Sequence, residues 1–278
     1  MKGRLCLLCG NNEIVPYFKG LLKCTSCNFV TTDLDIDASD IQKIYSKKYF
    51  FGDEYVDYMK DKEILQVNFR RKLESILGYK NNGLLVEIGC AYGFFLELAK
   101  QYFEVKGYEI CQDAVDYAKG LSLDVESGDF LKANIPENSV DVITMWDVIE
   151  HLLEPQRYVG KAKDLLKHDG LLCITTGDIS SLNARLRGKK WRMVHPPTHL
   201  HYFSRNNLKL LLENNGFKVV HEEYISIMRS LRQIAYSMLM LGQKKHTKLF
   251  NMLERLKLSH LKFSLNLRDI IFVIAKKQ

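Results

Sequence analysis

The chain has 278 residues, 46% of them apolar and 26% charged, a balance that excludes global disorder, a collagen-like fibre and a disulfide miniprotein. Its length suggests one large domain, or one domain with an appendage. The net charge of +7 is lopsided: from Arg185 to the end 19 Lys+Arg face 5 Asp+Glu, whereas the residues before Arg185 hold 21 basic and 28 acidic side chains. No run approaches the ~18 uninterrupted apolar residues of a membrane span, and Met1 to Cys6 lead into no long apolar stretch. A cytoplasmic location is the expectation.

Seven cysteines without a secretory signal argue against a disulfide framework. The first four, Cys6, Cys9, Cys24 and Cys27, read C-x2-C-x14-C-x2-C. Two such knuckles joined by a hairpin place four thiolates around a tetrahedral site of the size Zn2+ prefers. Residues 1–35 are therefore expected to be a zinc ribbon whose structural metal supplies folding free energy that so short a segment lacks. Cys90, Cys111 and Cys173 sit in apolar contexts and read as small core side chains.

An acidic connector follows, and residues 36–80 carry aromatic and aliphatic residues at helical spacing, ending near Gly78. From residue 81 the pattern becomes alternating strand and helix. Strands are expected at Leu84–Ile88, Val105–Ile110, Leu123–Val125, Val140–Met145, Gly170–Thr175, from Phe217 and at Ile270–Ala275. Helices are expected at Phe94–Tyr102, Asp113–Lys119, Pro155–Lys167 and Asn206–Asn215. The alternation predicts an α/β fold with a seven-stranded, mostly parallel, Rossmann-like sheet covered by helices on both faces. A helical excursion is expected over 227–265, with Ile227, Leu231, Ile234, Met238 and Leu241 on one face and Leu249, Leu253 and Leu256 on another.

Ligands in such sheets sit beyond the carboxyl ends of the strands. The first of these strands ends in Glu87-Ile88-Gly89-Cys90-Ala91-Tyr92-Gly93, where small residues at 89, 91 and 93 admit a ligand to the backbone. The next strand ends at Glu109, a carboxylate suited to two ribose hydroxyls, and the third leads to Asp129-Phe130, suited to an adenine amino group and ring. No G-x-G-x-x-G and no G-x-x-x-x-G-K-[ST] is present, which disfavours NAD and a triphosphate cradle. Glu87 would repel a pyrophosphate but suits the sulfonium of S-adenosylmethionine.

On these residues the chain resembles class I S-adenosylmethionine-dependent methyltransferases, and more narrowly bacterial ones with an N-terminal zinc ribbon, of the glycan or secondary-metabolite type. The resemblance runs through the four cysteines, Tyr45 to Phe50, Val86 to Phe95, Gly107 to Glu109, Asp129, Val140 to Pro155, His168 to Gly170, Trp191 to Ser204 and Gly216-Phe217. It implies that Glu87, Gly89, Ala91 and Gly93 hold the methionine end of the cofactor, Glu109 the ribose, and Asp129 with Phe130 the adenine. It also implies that Trp146 and Asp147 line the pocket. Ala91 stands where the family usually has Gly.

Methyl transfer to a hydroxyl needs a base. His151, in Asp147-Val148-Ile149-Glu150-His151, and His199, in Thr198-His199-Leu200-His201, are the candidates. On a helix, residues 147, 150 and 151 would share a face and could hold a divalent cation or orient His151; simple packing of the turn is the alternative. The segment resembles the D/E-x-x-E-H stretch of ubiquinone-pathway O-methyltransferases. Trp191 reads as a lid, an acceptor wall or a packing residue. The expected activity is O-methylation of a small-molecule, sugar or glycan acceptor, anionic if the basic C-terminal half contacts it. RNA methylation, with ribbon and basic half gripping phosphates, is the alternative. A third reading, a non-catalytic binding module, is disfavoured by the intact cofactor constellation. A fourth lays Arg229, Arg232, Lys244, Lys245 and Lys248 on an anionic membrane.

Overall fold

The computed structural model describes residues 5–18, 20–45, 49–50, 57–239, 247–255 and 261–278. Lys244, Lys245, Leu241 and Leu256, and the middle of the Tyr45 to Phe50 stretch, lie outside these residues, as does the side chain of Leu253.

The main sheet has seven strands: β4 (Leu84–Ile88), β5 (Glu104–Glu109), β6 (Asp124–Ser127), β7 (Val140–Trp146), β8 (Leu166–Gly177), β10 (Phe217–Tyr224) and β13 (Ile270–Lys277). They lie in the order β10-β13-β8-β7-β4-β5-β6. The run from β6 to β8 is parallel, and β13 lies antiparallel to both β8 and β10. Buried runs such as Val140–Trp146 are apolar on both faces because helices cover both. On one side α2 (Lys62–Leu77), α3 (Phe94–Ala99) and α4 (Gln112–Gly120) pack through Phe69, Leu73, Ile76, Phe95 and Val115. On the other, α5 (Pro155–Leu165) and α7 (Arg205–Asn214) pack through Val159, Leu165, Leu208 and Leu212. Ser204 begins α7 with a capping box to Asn207. At the opposite end from the site, Asp141 of β7 accepts from Lys167 (2.7 Å), the Leu84 amide (3.0 Å) and Lys80 (3.3 Å).

The N-terminal segment forms β1 (Ile14–Pro16), β2 (Leu21–Cys24) and β3 (Val30–Thr32), followed by α1 (Ala38–Ile44), which Asp37 caps. This sheet does not stand alone. Its fourth strand is β9 (His201–Tyr202), contributed by the catalytic-domain side and antiparallel to β3. The Asn207 amide donates to the Cys27 carbonyl at 2.8 Å, and Phe29 packs on Phe203 in the same apolar cluster as Cys6 and Cys24.

The 227–265 excursion differs from the helical expectation at both ends. Ile227–Ser230 is a strand, β11, paired with β12 (Lys262–Leu265), and α8 (Leu231–Leu239) begins only afterwards. The reason is local. Ser230 Oγ accepts from the Gln233 amide, and Gln233 Oε1 accepts from the Ser230 amide, a reciprocal cap that sets the helix start at 231. Asn68 then exchanges two hydrogen bonds with the Met228 backbone, fixing the hairpin to α2. α9 (Thr247–Arg255) packs on α8 through Tyr236 and Phe250.

Candidate active site

The loop after β4 passes through three left-handed residues, Gly89 (φ 68°), Ala91 (φ 46°) and Gly93 (φ 74°). A Cβ at Gly89 would meet Val148 at 2.7 Å and one at Gly93 would meet Leu123 at 2.6 Å, so neither position admits a side chain without displacement. Ala91 carries its methyl group in a backbone region that L-residues avoid, at a cost of about 1–2 kcal/mol. What holds it there is Glu109: one carboxylate oxygen accepts from the Ala91 amide (2.9 Å), the other from Ile110 (2.8 Å) and Cys111 (2.9 Å). Burial pushes the Glu109 carboxyl up, and these three amide donors oppose that shift. Glu109 is thus the structural anchor of the loop, with about one of its four lone-pair sites left for a ligand.

Glu87 is 2% exposed and its Oε2 has no hydrogen-bond partner among the described residues. Burial drives its carboxyl well above the usual range, Lys72 pulls it down, and the neighbouring Glu109 adds to the rise. Lys72 of α2 is itself only 6% exposed. Its ammonium lies 4.6 Å from the centre of a Trp146 ring and 4.9 Å from Phe69. Burial lowers its pKa, while Asp147 and Glu87 act as its counter-charges. Lys72 was not singled out from the sequence. The signal was there: Leu65, Phe69, Lys72 and Ile76 follow helical spacing, so a lysine stands in the apolar stripe of α2.

Asp147 ends β7 in a left-handed conformation (φ 54°), its amide donating to the Thr175 carbonyl (3.1 Å) and hydroxyl (3.0 Å). Trp146 packs edge-on against Phe95 and Phe272, and its Nε1 is buried without a partner among the described residues. Farther along the edge, Asp129 accepts from the Tyr158 hydroxyl (2.7 Å) and the Leu131 amide (2.9 Å). The Phe130 ring, expected to pack on the adenine, is 2% exposed. It is buried against Tyr108 and Tyr158, with Lys161 over its face.

Residues 147–151 are not one α-helical face. The left-handed Asp147 breaks the chain direction, and only Ile149–His151 turn, as a 3-10 helix. The ligand-type atoms of Glu150, His151 and His199 consequently lie within 4.8 Å of one another, and Asp147 is not in that group. His199 replaces the aspartate that the sequence placed there. All three side chains are buried. His151 Nδ1 lies 2.7 Å from the Thr198 carbonyl and 2.6 Å from the Tyr45 hydroxyl. The Tyr45 hydroxyl also donates to the Thr198 carbonyl at 3.0 Å, so hydroxyl, carbonyl and imidazole form one cluster. Burial lowers the pKa of His151 and, more strongly, of His199, which His151 and His195 also disfavour charging. Burial, with Asp147 nearby, pushes Glu150 up to about 8. Its Oε2 accepts from Thr176 (3.0 Å), and Oε1 has no partner among the described residues. Two other expectations fall outside this site. Trp191 is a core residue bonded to Asp269 at 2.9 Å, and His201 stacks on Phe29 with Thr31 3.0 Å away, joining the ribbon to β9.

Within the ribbon, Cys6 and Cys27 sulfurs are 3.5 Å apart and Cys9 and Cys24 sulfurs 3.6 Å, all four within 4.8 Å. A tetrahedral Zn2+ with Zn–S bonds near 2.3 Å spaces its sulfurs at roughly 3.8 Å. The donor set fits that ion.

A mostly parallel sheet with this strand order, carrying carboxylates at the carboxyl ends of its strands, is the class I S-adenosylmethionine-dependent methyltransferase fold. Residues 62–222 match the family described as a methyltransferase domain, and the chain belongs to that family. The ubiquinone biosynthesis O-methyltransferase of Glaesserella parasuis is 29% identical over 158 residues, covering 51% of this chain and 65% of that protein. The protein of the same name from Cereibacter sphaeroides is 27% identical over 150 residues, covering 51% and 60%. The chain therefore spans less than two thirds of the length of these curated relatives. A SAM-dependent methyltransferase from Archaeoglobus fulgidus superposes with a TM-score of 0.56 at 21% identity, covering 83% of this chain and 100% of that one, a likeness of fold.

Proposed function

We propose that the protein methylates an oxygen atom of a small-molecule or sugar acceptor, using S-adenosylmethionine. The carrying observation is the buried His151, held beside the end of β7 by the Thr198 carbonyl and the Tyr45 hydroxyl, with burial favouring the neutral imidazole that can take a proton. The charge pattern suits the cofactor. Its methionine end is a zwitterion next to a sulfonium, and the loop offers an unpartnered buried carboxylate, Glu87, together with Asp147 and the cation Lys72. In this reading Glu87 and Asp147 face the ammonium and Lys72 the carboxylate. Gly89, Ala91 and Gly93 admit the ligand to the backbone, Glu109 accepts from the ribose, and Asp129 stands at the adenine end. When bound, S-adenosylmethionine supplies the electrophilic methyl group. The chain's part is to hold the acceptor oxygen in line, exclude water, and take the hydroxyl proton on the His151 imidazole. The curated relatives bear the name O-methyltransferase, which supports oxygen as the acceptor atom.

A second reading is favoured by one atom. Glu150 Oε1 is buried and unpartnered beside the His151 and His199 imidazoles, a donor set that fits a divalent cation. Such an ion would lower the pKa of the acceptor hydroxyl, and His199 in place of Asp147 would complete its protein ligands. The four ribbon thiols are likewise proposed to hold a structural Zn2+.

His151→Gln separates these readings from plain packing. Turnover on catechol-like and glycosyl acceptors should fall at least 100-fold, with S-adenosylmethionine affinity by calorimetry within about threefold. Activity that survives the exchange removes His151 from the chemistry. Rescue of a chelated wild-type enzyme by added Mn2+ or Zn2+, with the ribbon metal still counted, favours the cation. Methylation of RNA oligonucleotides in preference to every small acceptor replaces the acceptor class.

A further inference from the structure

Of the cations that the sequence offered to a membrane, one is turned to an acidic partner and two cannot be placed. Arg232 is 15% exposed and faces Asp61 at 3.8 Å, and Lys244 and Lys245 lie outside the described residues. A different face stands out. Helix α6 (Leu182–Arg187) leaves the end of β8, capped by Ser181, and buries only Ala184. Its two leucines point the wrong way for a soluble helix. Leu182 is 72% and Leu186 79% exposed, and their spacing of four puts them side by side.

Around these leucines lie Arg185, Arg187, Lys189 and Lys190, all exposed and, among the described residues, in no ion pair. Arg187 donates only to Asn183, at 2.9 Å. No acidic residue occurs in the sequence between Asp178 and Glu213. Asp178 and Asp269, which flank α6, are buried; Asp178 accepts from Ser180 and Tyr224, and Asp269 from Asn183 and Trp191. The helix is seated through Ala184, which packs in one cluster with Trp191, Met193 and Ile270. The tip of the ribbon hairpin adjoins it: a Cβ on Gly188 would lie 3.8 Å from Phe18, whose ring sits 4.1 Å from that of the exposed Tyr17.

We propose that this face, Leu182 and Leu186 ringed by Arg185, Arg187, Lys189 and Lys190, docks on an anionic lipid bilayer. The cations meet the headgroup phosphates and the two leucines enter the acyl boundary, a monotopic contact. No described helix is long and apolar enough to cross a membrane. Nucleic acid would match the charge but leave two neighbouring leucines in water at the centre of the contact, which is why a lipid surface is the better fit.

The test is flotation of the full chain with vesicles of phosphatidylglycerol and phosphatidylcholine, against phosphatidylcholine alone. Binding should appear only with the anionic lipid and weaken as salt rises. Leu182→Ser with Leu186→Ser should weaken it at least tenfold. Arg185→Gln with Arg187→Gln should weaken it by about fivefold per charge. All four side chains are exposed, so each variant should melt as the wild type does, and that measurement guards the comparison. The proposal is overturned by an absence of vesicle binding at low salt, or by binding indifferent to the leucines. It is equally overturned if the leucine exchange abolishes self-association in sedimentation while vesicles are ignored, or if RNA is bound more tightly than vesicles with no dependence on the leucines.

Discussion

Exchanging Glu109 for Gln keeps the side-chain volume and removes an acceptor. The remaining oxygen can serve the Ile110 and Cys111 amides, which share one carboxylate oxygen now. The new amide nitrogen then meets the Ala91 N–H across 2.9 Å, two donors face to face in a buried loop. An unsatisfied buried donor costs about 1–3 kcal/mol. At about 2–4 °C per kcal/mol for a chain of this size, the melting midpoint should fall by roughly 2–12 °C. Loss of one charge-assisted bond to the ribose, about 1.5–3 kcal/mol, should weaken S-adenosylmethionine by about 10- to 150-fold. Thermal melting and calorimetric titration, the latter well below the variant's midpoint, read the two effects separately. A lowered midpoint with unchanged affinity would leave Glu109 as loop anchor only and end the ribose assignment. An unchanged midpoint would refute the hydrogen-bond account of the loop itself.

Asp141→Asn should destabilise the domain by about 1–3 kcal/mol in urea unfolding, because Lys167, Lys80 and the Leu84 amide converge on that carboxylate. Burial raises the Asp141 pKa, but these donors outweigh it and hold the folded value below the usual one. Its stabilisation is therefore complete above about pH 4, where an unfolded Asp is ionised, and is lost as the pH falls through the folded value. The variant should show a shallower loss of stability below that pH than the wild type, and parallel curves would dissolve the assignment. Elemental analysis of reduced protein should give one zinc per chain. Chelation should cut turnover far more than cofactor affinity, because β3 supports the strand next to His199. Full activity in verified metal-free protein would contradict that.

The sheet and its strand-end carboxylates were legible because buried parallel strands leave apolar runs that periodicity reports directly, as at Leu84–Ile88 and Val140–Trp146. The site's second half was not. Glu150 and His151 were assigned to a helix because their spacing allowed it, and nothing local announces that Asp147 turns left-handed. His199 approaches them from about fifty residues away, a meeting that only the tertiary fold produces. A charge among apolar residues reads as a gap in a stripe, whereas Lys72 is the counter-charge of Glu87 and Asp147. The apolar spacing of Ile227–Ser230 suits a helix, and the reciprocal Ser230–Gln233 cap starts that helix only at 231.

The pairing of β3 with β9 joins residues about 170 positions apart, as the contact of Thr31 with His201 shows. On a growing chain the ribbon hairpin emerges well before β9, so its sheet cannot be completed until some 170 further residues have been made. Until then Val30–Thr32 is an edge with unpaired amides and carbonyls, open to wrong partners. The slow closure of that long loop, more than the chelation of four nearby thiols, should therefore set the pace at which the active-site wall around His199 becomes ordered.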